Sequence, residues 1–154
     1  MMKQLCEQVI ATLSGKTLAT AESCTGGGIG FAITAIAGSS AVYKGGVISY
    51  QNEIKERVLG VDATALLEYG AVSEIVALQM AVGVRRVMQT DVGISVTGLA
   101  GPGGDAYGNP VGTVFIGYAD ESDAFVRKFC FSGDRAEVRN QAIEHALQII
   151  LEKN

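Results

Sequence analysis

Apolar positions 2, 5, 6, 9, 10 and 13 fall on one face at helical spacing and predict a helix over residues 2–14, ended by Gly15. Residues 17–21 read as a short buried strand that runs into a glycine-rich turn, and residues 28–37 as a helix of small apolar residues. A polar turn over 38–41 leads to a strand over 42–50, where Gly45-Gly46 signals a bulge or a close backbone approach. Asn52 is a candidate cap for a helix carrying Lys55, Val58 and Leu59, and Asp62 caps a short helix ending near Gly70. Ser73 caps a longer helix over 74–89, with Glu74 favourable in its first turn. Residues 92–97 form a strand and 98–110 a long loop. Two further strands, 111–119 and 124–131, are joined by four polar residues and read as an antiparallel pair. Asp134 and Glu137 have the spacing of a capping box, opening a last helix to about residue 153 with Val138, Ala142, Ala146 and Ile149 inward. The order predicts an α/β fold: a mixed sheet between helical layers, in one domain spanning 1–154.

Composition narrows the function. The chain of 154 residues carries a net charge of −4, with basic residues scattered, so it offers no electrostatic footprint for nucleic acid. Its apolar runs are broken well short of 18 residues, which argues against a membrane span. Its first residues lack the basic-then-apolar pattern of a signal peptide. Three widely spaced cysteines, Cys6, Cys24 and Cys130, argue for reduced thiols and a cytoplasmic location. A single histidine, His145, and no Cys/His cluster make a structural zinc site a poor expectation.

The candidate chemistry sits where predicted strands end. The stretch Thr20-Ala21-Glu22-Ser23-Cys24-Thr25-Gly26-Gly27-Gly28 puts two hydroxyls and a thiol before three glycines. Glycines there let backbone approach a ligand, with N–H groups at a helix start open to an anion. The loops 22–28, 38–55 and 97–110 together supply Ser23, Cys24, Thr25, Ser39, Ser40, Tyr50, Lys55 and Thr97, and Arg135 opens the last helix beside them. The set is rich in hydroxyls and poor in histidine. His145 lies mid-helix and reads as structural, so the base for a serine nucleophile is better sought in a lysine whose ammonium is desolvated. On spacing alone, the favoured reading of Lys55 is a solvated helix-face residue. Cys24 is a second candidate nucleophile, with no partner at useful spacing. The loop from Gly98 through Gly101 and Gly103 resembles an anion cradle, and the planar fork of Arg135 suits a phosphate.

Several motifs, in order and over nearly the whole chain, resemble the CinA C-terminal family. They are Ala21-Glu22-Ser23-Cys24-Thr25-Gly26-Gly27, Gly38-Ser39-Ser40, Gly45-Gly46-Val47-Ile48-Ser49-Tyr50, Asn52-Glu53-Ile54-Lys55-Glu56, Gly70-Ala71-Val72-Ser73, Val96-Thr97-Gly98-Leu99-Ala100-Gly101-Pro102-Gly103-Gly104, Pro110-Val111-Gly112 and Phe131-Ser132-Gly133-Asp134-Arg135. The resemblance implies a three-layer α/β/α sandwich. It implies a stand-alone nicotinamide-nucleotide amidohydrolase of the PncC type, which converts nicotinamide mononucleotide (NMN) to nicotinate mononucleotide and ammonia. No metal or other cofactor is implied, and a homo-oligomer is. It assigns Ser40 as nucleophile, with Ser23 as the alternative, Lys55 as base and Tyr50 as proton relay. Ser23 and Thr97, with loop N–H groups, hold the substrate or its oxyanion. Thr25, Gly26, Gly27, Gly98, Gly101, Gly103 and Arg135 complete the binding set. The chain departs from the family at Asp105-Ala106-Tyr107-Gly108-Asn109, where a Ser-Glu-Glu-Lys-like stretch is usual. That departure keeps open a second reading: a catalytically silent relative serving as a nucleotide-binding or subunit-interaction module.

Overall fold

A computed structural model describes all residues, 1–154. Five strands form one mixed sheet in the order β2-β1-β3-β4-β5. They are β1 (Leu18–Glu22), β2 (Tyr43–Ile48), β3 (Val92–Gly98), β4 (Thr113–Ala119) and β5 (Ala124–Cys130). The first three run parallel, and β4 and β5 join antiparallel at one edge. Six α-helices cover the two faces: α1 (Met2–Thr12), α2 (Gly28–Thr34), α3 (Asn52–Arg57), α4 (Ala63–Tyr69), α5 (Glu74–Met88) and α6 (Arg135–Lys153). A short 3₁₀ turn, Ser39–Ala41, precedes β2.

Strand alternation sorts the layers. In β1, Leu18 points into a core shared with α1, α2 and α6, which also takes Ile94, Val96, Ile116 and Tyr118 from the other strands. Ala19 and Ala21 point the opposite way, into a second core with Leu59, Leu66, Val76, Met80 and Val84 of the α3–α5 layer. Every residue of β1, β3 and β4 bar the terminal Gly98 is buried, as expected for strands covered on both faces. The three-layer expectation therefore holds, and most predicted elements are present within two or three residues.

The caps follow the sequence in part. Asp62 accepts from the Thr64 N–H, and Asp134 with Glu137 forms the full capping box. Ser73 stands at the N-cap of α5, but its hydroxyl donates back to the Gly70 carbonyl instead. Asn52 is already inside α3, and Gln51 takes the cap position. Both differences have one source: short polar side chains choose among several nearby backbone partners, and spacing does not decide between them.

One glycine fixes the helix that carries Lys55. A β-carbon at Gly83 would lie 2.0 Å from the Leu59 carbonyl oxygen, so α5 packs directly on the turn that ends α3. Gly83→Ala gains ~1 kcal/mol of helix propensity but incurs an overpacking cost of about 1–3 kcal/mol. The expected outcome is a lower midpoint of thermal unfolding, by a few degrees at the ~2–4 °C per kcal/mol usual for this size. A midpoint at or above that of the natural protein would show that the helix moves away freely.

Candidate functional site

Because β1, β2 and β3 are parallel, their carboxyl ends share one rim of the sheet, where α/β proteins place ligands. Ser23 follows β1, Ser49 and Tyr50 follow β2, and Thr97 and Gly98 end β3. The β4–β5 hairpin turns the chain back, so that β5 also ends at this rim and delivers Arg135, the first residue of α6. Between these segments lies a cavity of about 260 Å³. Ser23, Tyr50, Lys55, Thr97, Gly98, Gly101, Gly103 and Arg135 all line it, together with Cys24 and Asn52.

Lys55 is not a solvated lysine. It is 1% exposed, and its Nζ lies within hydrogen-bond distance of three oxygens. It donates to the carbonyl of Ser49 at 2.7 Å, to that of Tyr50 at 3.3 Å, and meets Ser23 Oγ at 3.0 Å. Burial without a carboxylate partner pushes its pKa down to about 8 from an ordinary 10.5. The two carbonyls can hold both hydrogens of the neutral amine, which leaves its lone pair for Ser23. Burial pushes the Cys24 thiol the other way, up to about 11, so it stays protonated and is a poor nucleophile at neutral pH.

Ser40 does not join this group. It is exposed in the 3₁₀ turn that precedes β2, and the start of β2 pairs with Leu18 at the amino end of β1. A strand of this length separates it from Ser23, on the order of 15 Å at ~3.3 Å per residue. The structure therefore sets Ser40, expected as nucleophile, apart from Lys55; the serine beside Lys55 is Ser23. Thr25, Gly26 and Gly27 also stand behind the cavity rather than in its wall. Gly26 and Gly27 take left-handed backbone angles of φ 59° and 94°, and Gly27 forms the N-cap of α2.

The expected anion site at the start of α2 is already filled by the chain itself. Glu22, 2% exposed, places Oε1 on the Ile29 N–H at 2.8 Å and Oε2 on the Gly30 N–H at 3.0 Å. The hydroxyls of Thr25 and Thr20 donate to the same two oxygens. Thr20 also meets the Tyr43 hydroxyl at 2.7 Å, which fits only because Gly30 and Gly46 lack side chains. A carboxylate that accepts these four bonds can stay buried as an anion. Glu22 escaped the sequence reading because it stood beside a serine; its place two residues after Thr20, on the same strand face, was the available signal. Arg139 was missed as well. It lies one helical turn beyond Arg135 and donates to the carbonyls of Cys24 and Thr25 at 3.0 and 3.1 Å.

Arg135 spans the mouth of the cavity, donating to the Gly101 carbonyl at 2.6 Å and to the Tyr50 hydroxyl at 3.1 Å. Thr97 donates to the Ala71 carbonyl at 2.9 Å, which ties β3 to the segment before α5. The divergent loop is braced rather than loose. Asp105 accepts from the N–H groups of Tyr107 and Asn109, Asn109 donates to the Val72 carbonyl, and Tyr107 to that of Leu67. His145 sits between the rings of Phe129 and Phe131, each at 4.9 Å, away from the cavity. No group of three or more His, Cys, Asp or Glu side chains is placed to hold a metal ion.

Two changes test this arrangement. Glu22→Gln replaces one acceptor oxygen with an amide that faces a backbone N–H, and is expected to cost about 2–3 kcal/mol in urea unfolding. An unchanged midpoint would mean that an amide serves these four donors as well as the carboxylate does. For Lys55, the unfolded chain binds more protons than the folded one between pH 8 and 10.5, so its contribution to stability rises with pH across that window. The natural protein should therefore gain stability relative to Lys55→Met as pH goes from 8 to 10. A constant difference would place the lysine in water.

The chain matches the CinA C-terminal domain over residues 2–153. It is 45% identical over 152 residues to nicotinamide-nucleotide amidohydrolase PncC of Escherichia coli (strain K12), covering 97% of this chain and 92% of that protein. It is 46% identical over 142 residues to the CinA-like protein of Rippkaea orientalis, covering 90% of this chain but 34% of that protein. The chain thus spans about a third of the length of several of its curated relatives. Among solved structures, the competence damage-inducible protein A of Klebsiella pneumoniae superposes with a TM-score of 0.96 at 36% identity, over 99% of this chain and 96% of that one. CihA of Agrobacterium tumefaciens superposes at 0.95, also at 36% identity. With the family domain matched from the second residue to the second-last, this chain belongs to the CinA C-terminal domain family.

Proposed function

We propose that the protein hydrolyses the carboxamide of NMN to nicotinate mononucleotide and ammonia, with Ser23 as nucleophile and Lys55 as general base. The observation that carries this reading is the buried amine of Lys55 at 3.0 Å from Ser23 Oγ. The name of the relative from Escherichia coli supports the choice of substrate. Neutral Lys55 takes the proton of Ser23 as Oγ bonds to the carboxamide carbon, and the carbonyl oxygen becomes an oxyanion. The tetrahedral species collapses. The C–N bond breaks, the Lys55 ammonium returns its proton to the leaving nitrogen, and ammonia departs from an ester on Ser23. Water then attacks that ester. Lys55 takes its proton and passes it to the departing Ser23 oxygen, releasing the carboxylate.

The binding roles follow the walls of the cavity. Arg135, with Tyr50 beside it, is a fork for the phosphate, and the N–H groups around Gly98, Gly101 and Gly103 add donors. Thr97 holds the rim through the Ala71 carbonyl and lines the same cavity. On this reading the chain is one catalytic domain acting on a free nucleotide in the cytoplasm, without a cofactor and without contact to nucleic acid. Exposed Phe31, Leu67 and Tyr69 support a homo-oligomer.

Incubation with NMN, with ammonia and nicotinate mononucleotide measured, tests the reaction. Ser23→Ala and Lys55→Met are expected to lower kcat at least ~10³-fold, the scale of losing a nucleophile or its base, whereas Ser40→Ala leaves it near that of the natural protein. Because the neutral amine is the active form, kcat/KM should rise with pH and level off above about 8. Loss of activity in Ser40→Ala with retention in Ser23→Ala would overturn the assignment. Binding of NMN without turnover would support the silent-module reading.

A further inference from the structure

No acid lines the cavity. Its only charged side chains are Lys55 and Arg135, and every other lining residue is neutral. The carboxylates nearest in the chain are engaged or outside: Glu22 turns both oxygens to the N–H groups of α2, Glu53 pairs with Arg57, and Glu56 is exposed. The Cys24 thiol, the one titrating group that acts on Lys55, stays protonated. Behind α3, Arg86 of α5 is held on the Leu59 carbonyl. Across the mouth, Arg135 is held on the Gly101 carbonyl and the Tyr50 hydroxyl. No anion therefore faces the amine, and no wall residue would neutralise a second positive charge brought in beside it.

NMN brings such a charge. Its pyridine nitrogen is bonded to the ribose, so the ring is a cation at every pH. Ser23 Oγ must come within about 3–3.5 Å of the carboxamide carbon to attack it. Lys55 Nζ is 3.0 Å from that Oγ. The ring then stands about 4–6 Å from the amine, where a like charge disfavours the ammonium. We propose that the cationic ring expels a proton from Lys55 as it binds, so that the substrate readies its own base and the pH dependence of the reaction passes from kcat to KM. The proposal rests on the amidohydrolase reading of this site. The proton goes to the buffer before any bond of the substrate changes. Its loss reverses one hydrogen bond. The ammonium donates to Ser23 Oγ and to the Ser49 and Tyr50 carbonyls; the amine keeps the two carbonyls and accepts from the Ser23 hydroxyl. That is the direction in which Ser23 gives up its proton during attack.

The test compares NMN with its dihydropyridine form, which carries the same ribose, phosphate and carboxamide on an uncharged ring. Binding is compared because the reduced ring also makes the carboxamide less reactive. Ser23→Ala, shown to be folded by thermal unfolding, is titrated with each nucleotide in buffers of different ionisation enthalpy, which counts the protons released. At pH 8, where about half of the Lys55 side chains carry a proton, NMN is expected to release about 0.4 proton and the reduced nucleotide less than about 0.1. The difference should vanish in Lys55→Met. Equal release by the two nucleotides, or a difference that persists in Lys55→Met, would overturn the proposal. In the natural protein, the pH midpoint of kcat should lie at least about one unit below that of kcat/KM, and KM should fall about fivefold from pH 7 to pH 9. Coincident midpoints with a constant KM would also overturn it. Proton release on NMN binding without turnover by the natural protein would leave the charge coupling standing, and the amidohydrolase reading alone would fall. Binding of neither nucleotide would sink both.

Discussion

An amine is buried here with no carboxylate beside it. Lys55 has carbonyl and hydroxyl oxygens around its nitrogen and no counter-ion, and that choice of partners governs the site. A carboxylate at the same distance would stabilise the ammonium and raise its pKa, and the lysine would be no base at neutral pH. Carbonyl dipoles are enough to fix the direction of the amine but not enough to restore its ordinary proton affinity. The one buried carboxylate nearby, Glu22, has its oxygens turned to hydroxyls and to the N–H groups of α2. The fold thus keeps its buried negative charge and its buried amine apart, although Glu22 and Ser23 are adjacent in the chain.

This separation depends on sheet geometry. Alternation along β1 sends Thr20 and Glu22 to the α2 face, and the strand ends at Glu22, so Ser23 is free to leave the sheet plane toward α3. The end of β2 is held to the end of β1 by the Ser49 N–H and hydroxyl on the Glu22 carbonyl. The Ser49 carbonyl in turn meets Lys55. A single residue, Glu22, therefore anchors the helix of one layer with its side chain and the lysine segment of the other with its backbone. Gly83 completes the support by letting α5 press on the turn behind α3.

Much of the fold was legible because its signals are local. Helical periodicity marked α1 and α6, the Asp134/Glu137 spacing marked a cap, and turn residues marked the β4–β5 hairpin. The site was legible as a set of residue types, and eight of the twelve proposed residues line the cavity. Which serine faces the lysine was not legible. Ser40 is closer to Lys55 in sequence than Ser23 is, yet a parallel strand places whatever precedes it at the far end of the sheet. Sequence distance misleads whenever a strand intervenes. Glu22 and Arg139 were hidden for another reason: each acts on backbone groups, and backbone partners leave no mark in residue types.

The brace in the divergent loop bears on how a molecule reaches the cavity. Tyr107 is tied to α4 and Asn109 to the segment before α5, so that side of the rim is stapled to the body of the protein. On the opposite side stand Arg135 and Tyr50, both exposed, bonded to each other, with Arg135 also on the Gly101 carbonyl. Exposed side chains change rotamer in picoseconds to nanoseconds, whereas whole loops need far longer. On that side the pocket can therefore open by rotation of two side chains, without a rearrangement of the backbone.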